Sequence, residues 1–252
     1  MKKLLKINFL LLIFILTSCN NRTENVKVIE KTKSTFPDEN SEFKASYKGS
    51  GKLIQIDSTD SKYTDAKLSC KDTITKNGWK IEYLVKDDKT KYDDLYIKWS
   101  KGNLSGIFCS ASTLIMRRYF IPEFEAENEN YLFLTHGCST SGAAVLVLPK
   151  NTSKKGKDYS FIIDYSIKYE KIGYIPERSF SLNELEITIA DLKSGAEKSV
   201  VFENICTTVP EESCVDQITF GNKTVEVEAT LIDKNDVERV KNILEKHKIK
   251  FK

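Results

Sequence analysis

Period-two alternation of apolar and polar side chains constrains this chain more than any other feature in it. Tyr159, Phe161, Ile163, Tyr165, Ile167 and Tyr169 alternate with Ser160, Ile162, Asp164, Ser166, Lys168 and Glu170. Successive side chains of a strand point to opposite faces, so this run predicts one long strand with a covered and a solvated side. Trp79, Ile81, Tyr83 and Val85 repeat the pattern, as do Leu95, Ile97 and Trp99. Two later runs follow it too, Leu185–Ile187–Ile189 and Val225–Val227–Ala229–Leu231. Ala143 to Leu148 is apolar at every position, which predicts a central strand covered on both faces. Lys101-Gly102-Asn103, Lys193-Ser194-Gly195 and Gly221-Asn222 supply turns between such runs. The expected fold is all-β and mostly antiparallel.

Two arrangements of those strands fit, a propeller-like meander and a β-sandwich. The hairpin Leu185 to Phe202 resembles the outer hairpin of a β-propeller blade. Shifting it by about 42 positions in either direction lands on another strand-to-turn junction, Leu148–Asn151 or Ile232–Asn235, within the usual blade length. One helix is expected, at the C-terminal end. Asn235 and Glu238 have the spacing of a capping box, and Val237, Val240, Ile243 and Leu244 form a helical stripe. Lys246, His247 and Lys248 would then lie at the negative end of its dipole, with His247 solvated.

The N-terminal segment is of another kind. Lys2, Lys3 and Lys6 precede the apolar stretch Ile7 to Leu16, broken only by Asn8. Ten helical residues reach about 15 Å, half of a ~30 Å hydrocarbon core, so the stretch reads as a secretory signal and not a span. Leu16-Thr17-Ser18-Cys19 then resembles the lipobox of bacterial lipoproteins. The resemblance implies a signal peptide over residues 1–18, a diacylglyceryl thioether on Cys19 and cleavage before it. A second acyl chain makes anchoring stable where one is marginal, at about 0.8 kcal/mol per buried methylene. Residues 19–44 are polar and non-periodic and read as acylated cysteine plus tether. About 25 such residues reach roughly 25–30 Å. Residues 45–252 form the expected β domain. Asn20 and Asn21, with no Asp after the cysteine, resemble the sorting pattern of diderm outer-membrane lipoproteins, facing the periplasm.

Lys2, Lys3 and Lys6 also account for the entire formal charge of +3. Without them the chain is neutral, which gives no electrostatic footprint for nucleic acid. Export permits disulfides. Cys206 and Cys214 flank Thr-Thr-Val-Pro-Glu-Glu-Ser, a turn containing Pro210, and are the best pair by spacing. Cys109 and Cys138 each end a strand-like run and are a second expected pair, with Cys70 left over. No Cys-x-x-Cys spacing exists and the histidines are only His136 and His247, so no metal or other cofactor is expected.

Chemistry, if present, belongs to Thr135-His136-Gly137-Cys138-Ser139-Thr140-Ser141-Gly142. There Cys138 or Ser139 is a possible nucleophile and His136 its base. The loop lacks Gly-x-Ser-x-Gly spacing and runs strand to strand, whereas a nucleophile elbow runs strand to helix. Glu123, Glu125, Glu127 and Glu129 alternate along a polar connector without the glycine of a calcium loop, and read as a solvated hairpin loop. Arg117 and Arg118 are adjacent, so on a strand they point apart and do not share a ligand. The expectation is therefore a membrane-anchored, non-catalytic binding or structural module with an envelope protein or glycan partner. A hydrolase using the His136–Ser141 loop is the alternative.

Overall fold

The computed structural model describes residues 29–30, 52–56, 71–86, 95–110, 118–138, 142–176, 184–207, 211–237 and 241–252. The signal segment, Cys19 and Cys70 lie outside them. Apart from 3-10 turns at Arg118–Phe120, Glu211–Cys214 and Val237, the regular structure there is strand. Every pairing is antiparallel.

The strands form three sheets. The first holds β2 (Leu53–Gln55), β3 (Thr73–Ile74), β4 (Lys80–Lys86), β5 (Leu95–Lys101) and β6 (Leu104–Ser110), with β2 and β3 both on β4. The second is a meander of β7 (Glu123–Glu127), β8 (Tyr131–Gly137), β9 (Ala143–Pro149) and β10 (Lys157–Ser160). The third has eight strands: β1 (Ile29–Glu30), β11 (Ile162–Ser166), β12 (Lys171–Tyr174), β13 (Glu184–Asp191), β14 (Ala196–Ile205), β15 (Val215–Phe220), β16 (Thr224–Ile232) and β17 (Asn242–Lys250). Its path runs β11-β12-β13-β14-β16-β15, with β1 on β14 and β17 on β16. Its two ends, β11 and β15, lie side by side, so the sheet is a nearly closed barrel.

Alternation explains how the sheets stack. Leu132, Leu134, Leu146 and Leu148 of the meander pack against Trp79, Ile81, Ile97 and Trp99 of the first sheet. The intervening positions, Tyr131, Phe133, Val145 and Val147, pack against Ile172 and Ala190 of the barrel wall. The meander is thus the middle layer, and β9 is apolar throughout because both its faces are covered, as its composition predicts. The barrel has its own interior, built from Ile187, Val200, Phe202, Val227 and their neighbours. Trp99 locks the first core: its indole N–H donates to the Pro149 carbonyl at 2.8 Å, and its ring leaves no room for a Cβ at Gly106.

Four expectations are corrected. The run Tyr159–Tyr169 is not one strand. It breaks at Phe161, whose φ of 55° lies in the left-handed region, a conformation costing a non-glycine residue about 1–2 kcal/mol. There the chain leaves β10 of the meander and enters β11 of the barrel, so the alternation spans two sheets. Residues 242–250 are not helical but pair with β16 over nine positions, from Thr224↔Lys250 to Ile232↔Asn242. Ile243, Glu245, His247, Ile249 and Phe251 alternate inward against Leu244, Lys246, Lys248 and Lys250. Glu245 and His247 at inward positions hide this period. Asn235 sits in a turn organised by Asp233, whose carboxylate accepts its amide at 2.9 Å. The acidic run is only partly a solvated hairpin loop: Glu129 is exposed in the connection to β8 and Glu123 and Glu125 are exposed, but Glu123–Glu127 is strand β7 and Glu127 is ion-paired with Lys150 at 2.7 Å. Finally, Cys206–Cys214 is a disulfide with Cα atoms 5.9 Å apart, as spacing predicts, but Cys109 and Cys138 are thiols and do not bridge. Cys109 ends β6 of the outer sheet and donates to the Ser110 carbonyl, whereas Cys138 follows β8 and is held beside Phe161.

Candidate functional site

The loop singled out by sequence closes the β8–β9 hairpin. Cys138 N–H donates to the Gly142 carbonyl at 3.0 Å, and the Cys138 thiol donates to the Ala143 carbonyl at 3.3 Å. The same sulfur accepts the Phe161 amide at 3.3 Å, which ties the loop to the point where the chain changes sheets. Ser139, Thr140 and Ser141 lie outside the described residues, as does Arg117. Tyr119, from the 3-10 turn, covers the loop. Its hydroxyl donates to the Gly142 carbonyl at 3.1 Å, and a Cβ at Gly137 would fall 1.7 Å from its ring. Half of Tyr119 is nonetheless exposed.

His136 is the chemically informative residue. On β8 it pairs across β9 at Ala144, next to the position where Asp158 of β10 pairs with Leu146. Its side chain is 5% exposed. Nε2 lies 3.0 Å from both oxygens of Asp158, and Nδ1 lies 2.8 Å from the Gly137 carbonyl oxygen. Both partners are acceptors, so the doubly protonated ring would find a partner for each N–H and the arrangement favours the imidazolium. Burial opposes that charge. The Asp158 hydrogen bond and field, with help from the Gly137 carbonyl, outweigh burial and raise the His136 pKa above its ordinary value.

A general base needs a lone pair aimed at the nucleophile. Neither ring nitrogen of His136 is aimed at Cys138, since Nε2 faces Asp158 and Nδ1 faces the Gly137 carbonyl, and the Cys138 thiol itself faces the Ala143 carbonyl. Geometry therefore does not join His136 and Cys138 into a nucleophile–base pair. Among the described residues no group of three or more His, Cys, Asp or Glu side chains converges as metal ligands.

No family model, curated protein or solved structure matches this chain. Its function must be argued from its own residues.

His247 is the second histidine. It does not sit at a solvated helix end but on the inner face of β17, its ring edge-on to Phe202 with centroids 4.6 Å apart. Nε2 is 3.2 Å from Glu245 Oε2. Glu245 in turn accepts the amides of Glu203 at 3.2 Å and Asn204 at 2.9 Å, and the Asn204 side-chain amide. These successive N–H groups converge because β14 carries two extra residues here: its register with β13 shifts between Glu184↔Ile205 and Glu186↔Val201. Burial pushes the Glu245 pKa up, but the His247, Asn204 and backbone donors overcome it and leave the pKa below the ordinary value. This carboxylate is satisfied structurally, with no oxygen left to act on a substrate.

Sequence reading missed Asp158, Tyr119 and Glu245. Asp158 carries a weak signal, being a polar residue directly before the aromatic alternation begins at Tyr159. Tyr119 carries none, because its role depends on a glycine that is distant in sequence.

Proposed function

We propose that this protein is a lipid-anchored module of the bacterial envelope that works by binding, not by catalysis. Its acylated Cys19 would hold it to a membrane, the outer one facing the periplasm in a diderm cell, and its β-rich part would present a surface to an envelope protein or glycan. The observation that carries the non-catalytic half is the double commitment of His136 to acceptors, which leaves neither ring nitrogen aimed at Cys138. Supporting the binding half is Tyr119, a half-exposed aromatic ring held rigidly over the hairpin tip. Aromatic rings fixed at one edge are effective contact residues for sugars and proteins alike. The anchored half is supported by the basic, apolar and lipobox segments of residues 1–19.

Two measurements test it. Protein from the native host should partition with membranes and yield an acylated N-terminal peptide beginning at Cys19, and Cys19→Ser should release it. An unmodified chain starting elsewhere defeats the anchor. Electrophilic hydrolase probes should label Ser139 and Cys138 no more in the native protein than in His136→Gln. Labelling that depends on His136 would restore the hydrolase reading.

A further inference from the structure

A strand with a ladder on one side only offers a place for another chain to pair, and charge on such a strand opposes that. The edges of this molecule differ in this respect. β7, at one end of the meander, carries Glu123, Glu125 and Glu127, and β10, at the other, carries Lys157 and Asp158. β17 carries Lys246, Lys248 and Lys250. β6, at the end of the first sheet, reads Leu-Ser-Gly-Ile-Phe-Cys-Ser and holds no charge. Among the described residues its ladder is with β5 alone, and its Leu104 and Ile107 are 48% and 40% exposed. The hairpin fixes which backbone groups of β6 face outward. Lys101 and Leu104 flank the two-residue turn Gly102-Asn103, so they exchange the hydrogen bonds that close it. Alternation then commits Gly106 and Phe108 to β5 and turns the N–H and C=O groups of Ser105 and Ile107 to the open edge.

We infer that this edge binds the same edge of a second copy of the chain, antiparallel, about a two-fold axis at Gly106. That register sets Ser105 of each copy opposite Ile107 of the other, and each such pair exchanges two hydrogen bonds. On the face toward the meander, Leu104 comes opposite Phe108 of the other copy. On the outer face the two Ile107 side chains become diagonal neighbours. Both exposed apolar residues of β6 are thereby covered. Gly106 suits the axis, where facing residues not joined by hydrogen bonds come within about 4.5 Å between Cα atoms. Its missing side chain leaves the space above it to the Trp99 ring, which a Cβ would meet at 2.2 Å. Cys109, the next outward residue, falls opposite Asn103, beyond the end of the other β6, and the pairing does not call on it. Charge favours a second copy as the occupant. An uncharged strand meets itself without repulsion, whereas β7 or β17 set against itself brings like charges together. The two-fold relation joins two five-stranded sheets into one and stops at two copies.

The test uses the full chain in detergent, half of it carrying Ser105→Cys and half Ile107→Cys. Opposed residues of a hydrogen-bonded pair lie about 5.5 Å apart, within disulfide reach. After oxidation, non-reducing peptide mapping should find position 105 joined to position 107. Ser105→Cys alone places its two thiols two residues out of register and should give little 105–105 link. Equal linkage in the two samples, or no 105–107 link, overturns the assignment. Sedimentation supplies an independent reading: the native chain should run as a dimer and Ile107→Lys as a monomer with unchanged tryptophan fluorescence. Ser105→Lys, at an exposed position, should separate the copies too, and decides the matter where Ile107→Lys disturbs the fold. A native chain that is monomeric, that grows past two copies, or that stays dimeric in a folded lysine variant refutes the pairing.

Discussion

The ion pair between His136 and Asp158 shows how a histidine beside a cysteine can be structural. Taken alone, burial would favour the neutral ring; it is the carboxylate at 3.0 Å that reverses the balance. Asp158→Asn removes that charge and leaves burial dominant. The His136 pKa should then drop below its ordinary value of about 6.5, where the native residue titrates above it, and histidine NMR titration reads this directly. Linkage sets the pH dependence. The folded-state pKa is raised, so the pair's contribution is fully present below pH ~6.5 and is lost as pH rises through the folded value. Stability measured against pH should therefore decline above pH ~6.5 in the native protein, and His136→Gln should remove that component. Asp158 is partly exposed, so Asp158→Ala should cost about 1–3 kcal/mol and not the larger sum expected of a fully buried pair. A decline unaffected by His136→Gln would show that another group is responsible.

At the scale of elements, β17 is the most instructive. Its outward face carries Lys246, Lys248 and Lys250, and two of these reach Glu228 and Glu226 on β16. Exposed pairs of this kind contribute little to stability. Their position matters more, because among the described residues β17 has a strand ladder only with β16, its other side meeting β14 through Glu245 and not through a ladder. Lysines on an edge strand oppose edge-to-edge association. Lys246→Thr with Lys248→Thr should therefore leave thermal stability within about 1 kcal/mol of native while promoting self-association, detectable by light scattering. Glu245 behaves in the opposite way. Glu245→Ala removes the acceptor shared by the exposed Glu203 amide and the half-buried Asn204 amide and should cost about 1–2 kcal/mol without changing association. Its folded pKa is depressed, so this contribution is present above the ordinary carboxylate value and fades as pH falls through the lower folded one. The same residue explains what sequence reading missed. Strands β4, β5, β9, β13 and β16 were legible because one face of each is an unbroken apolar row, such as Ile81, Tyr83 and Val85 in β4 or Leu185, Ile187 and Ile189 in β13. In β17 two covered positions hold a carboxylate and an imidazole, and what they meet lies far away in sequence: Glu245 accepts from Asn204 and His247 packs edge-on against Phe202. The remaining apolar residues happen to fit a helical stripe. Likewise the break at Phe161 leaves no trace in hydropathy, since the alternation simply continues from one sheet into the next. Of the site, His136 and Cys138 were legible as residue types, but Asp158, which decides their chemistry, was not.

At the scale of the molecule, the meander contributes to two cores at once. Leu146 faces the tryptophan core while Val147, the next residue, faces the barrel wall. A polar joint reinforces the second contact. The buried Glu170 accepts from the side chains of Asn128 at 2.9 Å and Asn130 at 2.8 Å, and the Tyr131 hydroxyl donates to the Leu192 carbonyl at 2.6 Å. The Lys171–Asp191 pair, 3.6 Å apart and buried, lies on the barrel side of this joint. Loss of the meander thus exposes apolar surface on both neighbours at once, and unfolding should couple across all three layers. The two tryptophans, Trp79 and Trp99, both sit in the first core and make the coupling measurable. Their fluorescence reports that core alone, while hydrogen exchange in β13 and β16 reports the barrel. Leu146→Ala should cost about 2–5 kcal/mol, the usual range for a truncated core leucine. Because Leu146 touches only the tryptophan side, independent layers would confine the loss to fluorescence and leave barrel exchange unchanged. Coupled layers would shift the fluorescence transition and the slowest barrel amides by the same free energy. The shared strand β9 leads us to expect the second outcome, and a barrel that keeps its native protection after the fluorescence transition has moved would refute it.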